Sequence, residues 1–330
     1  MREIKAGKNE DGMKLKKLCF KYFDNAPQSF TYKMLRKKNI TLNGKKADGE
    51  EVLKSGDIIK LFLADETIDK FHKKGAESDT ESKESSARPQ TRSFKLDGSI
   101  IFEDNDILII NKPAGILSQR ADKTDYSVNE AVIDYLLEKK AVTRESLELF
   151  RPSVCNRLDR NTSGLISAGK TLKGSRYLSG LFRDRTGNIK KIYLVLVHGK
   201  AELSNIFTLY LSKDEKENMV SINKHPEEGS DKIVTEFHTK RYLQDSDVTL
   251  LSCVLHTGKS HQIRAVLKYL GYPVVGDMKY GDNMKDRNLK PRPKRQLLHA
   301  YKLKLLKPDG STEKEFTAGI PKDMMTYLEK

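Results

Sequence analysis

Asn156-Arg157-Leu158-Asp159-Arg160-Asn161-Thr162-Ser163-Gly164-Leu165 sets one carboxylate between two guanidinium groups in a run of hydrogen-bonding residues. Taken alone, such a run reads as readily as a surface ion-pair cluster, the kind of feature that contributes about 0–1 kcal/mol. Its meaning comes from its surroundings. Directly after it, Gly164-Leu165-Ile166-Ser167-Ala168-Gly169-Lys170-Thr171 satisfies the P-loop pattern in full. That pattern cradles phosphate only where an apolar strand leads into a loop of free N–H groups and a helix follows. Here the preceding residues are polar and charged, and Leu165 and Ile166 would place two bulky apolar side chains in the loop. Nucleotide binding is the weaker reading.

Working outward, Ile100–Phe102 and Ile107–Ile110 read as a hairpin that runs into Asn111-Lys112-Pro113-Ala114-Gly115. Ser127 with Glu130 has the spacing of a capping box, and behind it Val128, Val132, Tyr135 and Leu136 carry a helical stripe. Leu194–Val197, Ile206–Leu211, Val234–His238 and Thr249–Leu255 read as strands. Ile263, Val266, Leu267 and Leu270 form a further helical stripe, stopped by Gly271 and Pro273. Strands in runs with few helices between them indicate an α+β fold with a mixed, mainly antiparallel sheet.

Upstream, residues 75 to 92 offer only two alanines as apolar residues, too little to offset the entropy of ordering. As a flexible coil they would span roughly 20–25 Å. They divide the chain into a unit at 1–66, a linker at 67–93 and a larger unit at 94–330. In the small unit Leu15, Leu18, Cys19 and Tyr22 make one helical stripe, with Lys14, Lys17 and Lys21 on another face. A second helix near Phe30–Lys37 turns Phe30 and Met34 inward and carries Lys33, Arg36 and Lys37 at i, i+3, i+4. Ile40-Thr41-Leu42, the turn Asn43-Gly44 and a strand at Ile58–Leu63 complete it. Any one of these lysines is as easily a solvated side chain; two basic helices beside a hairpin point to an RNA-binding module.

The composition agrees. The 330 residues carry 61 Lys and Arg against 46 Asp and Glu, a net charge of +15 that calls for an anionic partner, nucleic acid before membrane surface. Apolar runs reach four or five residues, far below the about 20 needed to cross a bilayer. The opening MREIKAGKNEDG has no apolar stretch behind its charges, so no secretory signal is expected. Cys19, Cys155 and Cys253 are odd in number and widely spaced, which argues against disulfides or a zinc ribbon and for a cytoplasmic protein. His256 and His261 do not share a helix face, and His198, His238 and His299 look isolated, so no metal is expected. Cys155 reads as a buried thiol before a nucleophile.

Three further segments change the weight of the opening stretch: Gly258-Lys259-Ser260-His261-Gln262-Ile263-Arg264, Pro273-Val274-Val275-Gly276-Asp277 and Arg295-Gln296-Leu297-Leu298-His299-Ala300. In order and spacing, all four resemble the signature segments of the RluA family of pseudouridine synthases, and Asn111–Gly115 and Lys191–Val195 also match. The resemblance runs from about residue 98 to residue 322. Residues 14 to 64 resemble an S4 domain, an arrangement similar to the large-subunit ribosomal RNA branch of that family. The resemblance implies a pseudouridine synthase fold with a central cleft, acting on RNA as a monomer without cofactor or metal. It places the catalytic aspartate on Asp159 and its basic partner on Arg264. Tyr193 falls where the family stacks an aromatic ring on the flipped base. Arg157 falls where a side chain enters the vacated RNA stack, with Arg160 beside it as a further substrate contact. Lys33, Arg36 and Lys37 become the RNA contacts of the S4 unit. The chain departs from the family at Asn156, usually His, at Asn161, usually an acid, at Lys259 and Ser260, usually Arg and Thr, and at Gly169, usually Ala.

These residue types suit the reaction. Isomerising uridine breaks an N-glycosidic bond and makes a carbon–carbon bond, a redox-neutral change that needs a group able to attack the nucleoside or take its proton. An ionised carboxylate does either, and a nearby arginine keeps it charged in a cleft. A catalytically idle S4-type RNA-binding or ribosome-assembly factor is the second reading, and a P-loop nucleotidase the third.

Overall fold

A computed structural model of the chain describes residues 1–7, 9–72, 94–122, 124–183, 188–214, 219–307 and 309–329. The N-terminal unit contains β1 (Arg2–Lys5), α1 (Leu15–Tyr22), α2 (Gln28–Arg36), β2 (Ile40–Leu42), β3 (Lys45–Lys46), β4 (Ile58–Leu61) and α3 (Asp65–Phe71). Its sheet runs β1-β4-β2-β3, all antiparallel. The apolar stripe of α1 is buried as its spacing requires, and Met34 of α2 packs against it. The expected boundary at 66 is too short. α3 runs across it because Asp65 and Glu66 suit a helix N-terminus, Ile68 is fully buried, and the Phe71 ring packs 4.5 Å from that of Phe30. His72 then closes the unit, its Nδ1 2.6 Å from the Tyr22 carbonyl oxygen. The remainder of the expected flexible linker, from residue 73 to 93, lies outside the described residues.

The larger unit contains β5 (Ile100–Glu103), β6 (Ile107–Lys112), α4 (Val128–Glu138), α5 (Arg144–Leu149), β7 (Ser153–Val154), β8 (Ser163–Gly169) and α6 (Leu172–Arg183). Then follow β9 (Ile189–His198), β10 (Ser204–Asp214), β11 (Met219–Asn223), β12 (Asp231–Leu243), β13 (Val248–Leu255) and α7 (Gln262–Tyr269). The chain ends with α8 (Asn283–Asn288), β14 (Leu298–Leu306), β15 (Thr312–Thr317) and α9 (Lys322–Leu328). Among the described residues the sheet has the order β11-β10-β12-β13-β9-β14-β8-β6-β5, with β15 added to β14 and β7 to β8. Among the strand pairs of the described residues only the short β14–β8 contact is parallel, so the architecture is α+β with a mainly antiparallel sheet. α7 covers the β9–β13–β12 side through Ile263, Val266 and Leu267, and α4 covers β6 and β8 through Val128, Val132 and Leu136. The Ser127–Glu130 pair forms differently from a full capping box: Ser127 Oγ donates to Glu130 Oε2 at 2.5 Å and caps no backbone N–H.

β8 settles the P-loop pattern. Gly164 to Gly169 form a fully buried strand between β6 and β14, not a phosphate loop. Lys170 pairs with Glu103 and donates to the Asp104 carbonyl at 2.8 Å, and the Thr171 hydroxyl donates to Asp106 at 2.6 Å. Lysine and threonine are both committed to the neighbouring hairpin.

Candidate active site

The stretch Cys155–Thr162 links β7 to β8, and the sheet fixes where it ends. At Gly164 φ is +111°, and a Cβ there would lie 2.2 Å from the Ala300 carbonyl oxygen, where β14 meets β8. Only glycine lets the two strands approach so closely. Before this point the loop backbone is tied down side chain by side chain. Ser118 Oγ accepts from the Leu158 N–H at 2.9 Å and donates to the Leu158 carbonyl at 2.8 Å. The Arg160 carbonyl accepts from the Gly115 N–H at 2.8 Å and from Lys112 Nζ at 3.0 Å. Lys112 also donates to the carbonyls of Pro113 and Ile116, at 3.0 and 2.8 Å. Its three donors meet three acceptors, although full burial pushes its pKa down to about 7, partly opposed by Asp159. Arg295, paired with Asp323, donates to the Asn161 carbonyl at 3.1 Å.

Held on this backbone, the Asp159 side chain is 26% exposed and accepts a hydrogen bond from Arg264 Nη1 at 2.7 Å. Arg264 stands in the first turn of α7, buried, with Nε and Nη2 donating to the two oxygens of Asp277 at 2.6 and 2.8 Å. The guanidinium carbon lies 5.1 Å from the centre of the Tyr280 ring. Asp277 is brought there by Gly276, at φ +75°, whose Cβ would fall 2.0 Å from the Arg295 carbonyl oxygen. Burial opposes the charge on both partners, and their mutual hydrogen bonds outweigh it. Asp277 is thus held below the usual carboxylate range and Arg264 above the usual guanidinium value. One edge of the guanidinium, two N–H groups, faces inward to a permanent counter-ion, and a third N–H is aimed at Asp159. The Tyr280 hydroxyl accepts from the Val220 N–H at 2.9 Å and is hydrogen-bonded to His261 Nδ1 at 3.0 Å. Burial lowers the His261 pKa, with Asp159 opposing.

Tyr193 sits in β9 opposite Cys253 of β13 and Ala300 of β14, in the same apolar cluster as Leu158 and Ile263. Burial pushes its hydroxyl above the ordinary phenol range, so at neutral pH it offers a ring and a neutral hydroxyl, not a phenolate. Arg157 and Arg160 are exposed on the outer side of the loop, Arg160 with Nη2 3.9 Å from Asp125. Lys33, Arg36 and Lys37 are exposed at the C-terminal end of α2 in the other unit and take no part in this site.

The structure adds residues to which no role could be given from sequence. Asp277 lay in a recognised segment without an assignment, as did Lys112 and Arg295. Ser118 and Tyr280 carried no signal at all. Asn156, one of the departures from the family, turns away from the cleft: its Oδ1 accepts from the Ser167 N–H and hydroxyl at 2.7 and 2.8 Å. That substitution is a matter of loop–strand packing. Cys155 is half-buried and burial raises its pKa, which suits a packed thiol and not a nucleophile. His238 is not isolated: with His256 it shares the carboxylate of Glu236, at 2.6 and 2.9 Å. His198 bonds Asp286 at 2.8 Å.

Residues 106–269 match the RNA pseudouridylate synthase family. Over 316 residues the chain is 30% identical to the ribosomal large subunit pseudouridine synthase C of Buchnera aphidicola, covering 93% of this chain and 90% of that one. An uncharacterised RNA pseudouridine synthase of Mycoplasma pneumoniae is 29% identical over 91% of this chain and 86% of its own. Among solved structures, human RNA pseudouridylate synthase domain containing 4 shares the fold, with a TM-score of 0.55 at 19% identity over 71% of this chain and 93% of that one. With a partly exposed carboxylate fixed by a buried arginine, the whole-length likeness is decisive: the chain belongs to the RNA pseudouridylate synthase family, isomerases that convert uridine in RNA to pseudouridine.

Proposed function

We propose that this enzyme acts on uridines of large-subunit ribosomal RNA, the substrate named for several of its relatives, with Asp159 as the reacting carboxylate. The observation that carries the assignment is the contrast between the partly open carboxylate and the buried arginine that holds it, 2.7 Å apart. A carboxylate needed only for stability has no reason to sit on a backbone so heavily tied; one that must meet a nucleoside at fixed distance does.

The proposed sequence follows from the geometry. Unstacking the target base costs a few kcal/mol; Arg157, exposed beside Asp159, would fill the vacated stack, while the Tyr193 ring supports the flipped uracil. Asp159 attacks the nucleoside or removes its proton, the N1–C1′ bond breaks, the base turns, C5 bonds to C1′, and the bond to Asp159 breaks again or the proton it took returns to the sugar. The C5 proton leaves to solvent and N1 gains one, so the net change is an isomerisation. Arg264 holds the carboxylate in reach through these steps. Arg160 would contact the RNA backbone near the target. The N-terminal unit serves as an S4-type RNA-binding domain, gripping through Lys33, Arg36 and Lys37. We place the protein, as a monomer, in the cytoplasm, the compartment that its three free cysteines support.

Release of tritium from C5-labelled uridine in large-subunit ribosomal transcripts, or in immature particles, tests the reading directly. Pseudouridine mapping in a deletion strain and its parent then locates the sites. Wild-type enzyme that releases nothing from either substrate would return the idle RNA-binding reading to first place.

A further inference from the structure

The two units touch, and where they touch lies a basic cleft. On the catalytic side the contact uses α5 and the start of α6. Leu149 and Leu172 pack against the N-terminal core, the Leu172 N–H donates to Asn9 Oδ1 at 3.0 Å, and Lys21 Nζ lies 3.4 Å from the Leu149 carbonyl oxygen. His72 Nε2 faces Glu148 at 3.4 Å. Beside this seam opens a cleft of ≈ 490 Å³ whose charged lining is Lys14, Lys16, Lys17 and Lys21 from the N-terminal unit and Arg176 from α6, with no carboxylate. Glu50 pairs with Lys14 at 2.7 Å and with Lys16, so one negative charge is shared by two of the five. Lys17, Lys21 and Arg176 are exposed and have no ion-pair partner among the described residues.

We infer that this seam is a composite binding cleft for the phosphodiester backbone of the RNA substrate, built jointly by α1 and Arg176. Like charges gathered this way repel, and an anion between them removes the repulsion. Lys14, Lys17 and Lys21 lie along one face of α1 over about 10 Å at 1.5 Å per residue, a row suited to successive phosphates better than to a single ion. The fold also says where this RNA must lie. Asp159 precedes the first residue of β8, whereas α6 begins beyond its last, so strand length puts the cleft about 20 Å from the reacting carboxylate. The RNA held here is a flank of the substrate, not the target nucleotide. The inference rests on the RNA-modifying reading only for the identity of the anion.

The full-length protein, Arg176→Glu and Lys17→Glu/Lys21→Glu would be compared on a large-subunit ribosomal transcript and on a minimal hairpin too short to reach from Asp159 to the seam. Arg183→Glu, at the other end of α6, serves as a charge-matched control. On the transcript we expect Arg176→Glu to weaken binding about tenfold, which is 1.4 kcal/mol. The double variant should lose more, with the salt slope falling by about 0.9 for each phosphate no longer neutralised. The hairpin should bind all four proteins within about twofold, and Arg183→Glu should match wild type on both RNAs. Wild-type affinity in Arg176→Glu with a loss in Lys17→Glu/Lys21→Glu would show that the N-terminal unit binds alone and reject the composite cleft. Equal losses on transcript and hairpin, or an equal loss in Arg183→Glu, would reduce the effect to net charge and reject it as well. Because these are affinities, they decide the cleft even where wild type releases no tritium, the outcome that defeats the proposed reaction instead.

Discussion

The loop around Asp159 and the basic face of the N-terminal unit carry similar residue types and treat them in opposite ways. Around the loop, the cations that hold it in place are buried and fully used: Lys112 holds three carbonyls, Arg295 a carboxylate and loop carbonyls, Arg264 two carboxylates. On α1 and α2, Lys17, Lys33, Arg36 and Lys37 stand in water. Chemistry demands a carboxylate fixed to a fraction of an ångström, which requires charges immobilised in advance. Gripping a polyanion demands charge at the right density, and mobile side chains supply it. Changes in the first region should therefore strike turnover and stability, and changes in the second should strike affinity and its salt dependence.

The largest effect is expected from Asp159→Asn. The amide keeps the size of the side chain and removes its charge and most of its nucleophilicity and basicity, so tritium release should fall by at least about 10³-fold while RNA affinity holds. An active Asp159→Asn enzyme would remove this residue from the mechanism. Next comes Arg264→Ala, which leaves Asp277 buried without its partner and should destabilise the fold by about 3–5 kcal/mol. It should reduce turnover less than Asp159→Asn does, since the reacting group remains. Arg264→Ala/Asp277→Ala should recover part of the stability, read from urea midpoints. The same pair governs acid behaviour. Asp277 has its folded pKa lowered by Arg264, so its contribution is present above the unfolded carboxylate pKa near 3.9. It is lost as pH falls through the lower folded value, and Asp277→Asn should erase that part of the acid transition.

Lys112→Met follows. Methionine fits the space of the stem but strands three carbonyls, costing about 1–3 kcal/mol. A loop that shifts by an ångström should also lose up to about 100-fold in turnover. Lys112→Met with wild-type kcat would mean that the ties to the loop serve stability alone.

Periodicity located α1, α2, α4 and α7 and the central strands, because apolar residues at helical or alternating spacing report burial directly. It overlooked α3, whose residues look like linker until Ile68 and Phe71 find the N-terminal core, and it overlooked β8, whose glycines imitate a phosphate loop. Resemblance supplied Asp159, Arg264 and Tyr193, and the structure brings the first two into contact. The ties on the loop were invisible for a physical reason. Ser118 acts on Leu158 and Lys112 on Arg160 across long separations and through backbone atoms, so nothing in the identity of the held residue betrays the holder. The docking of the two units was equally hidden, since α5 and α6 each give the N-terminal core one partly buried leucine, Leu149 and Leu172.

On the affinity side of the comparison, Lys33→Gln/Arg36→Gln/Lys37→Gln should weaken binding to ribosomal transcripts and raise KM. The salt slope should fall by up to about 0.9 for each phosphate these side chains neutralise. A steep salt slope that survives all three changes would limit this face of α2 to solubility.

The smallest effect is expected at Lys170, the residue that a nucleotide-binding protein could least spare. Its ammonium is spoken for by Glu103 and the Asp104 carbonyl, and the glycines before it are strand, so no cradle of free N–H groups exists for a triphosphate. The pair is partly open to water, with 13% of the lysine and 30% of the glutamate side chain exposed. Lys170→Ala should therefore cost about 1 kcal/mol or less, seen as a small shift in the urea midpoint, and leave RNA modification as it was. Calorimetry with ATP and GTP should give no heat of specific binding for either protein. Micromolar binding by wild type that vanishes in Lys170→Ala would mean that β8 can leave the sheet to form a phosphate loop, and would overturn the assignment of this segment as a structural strand.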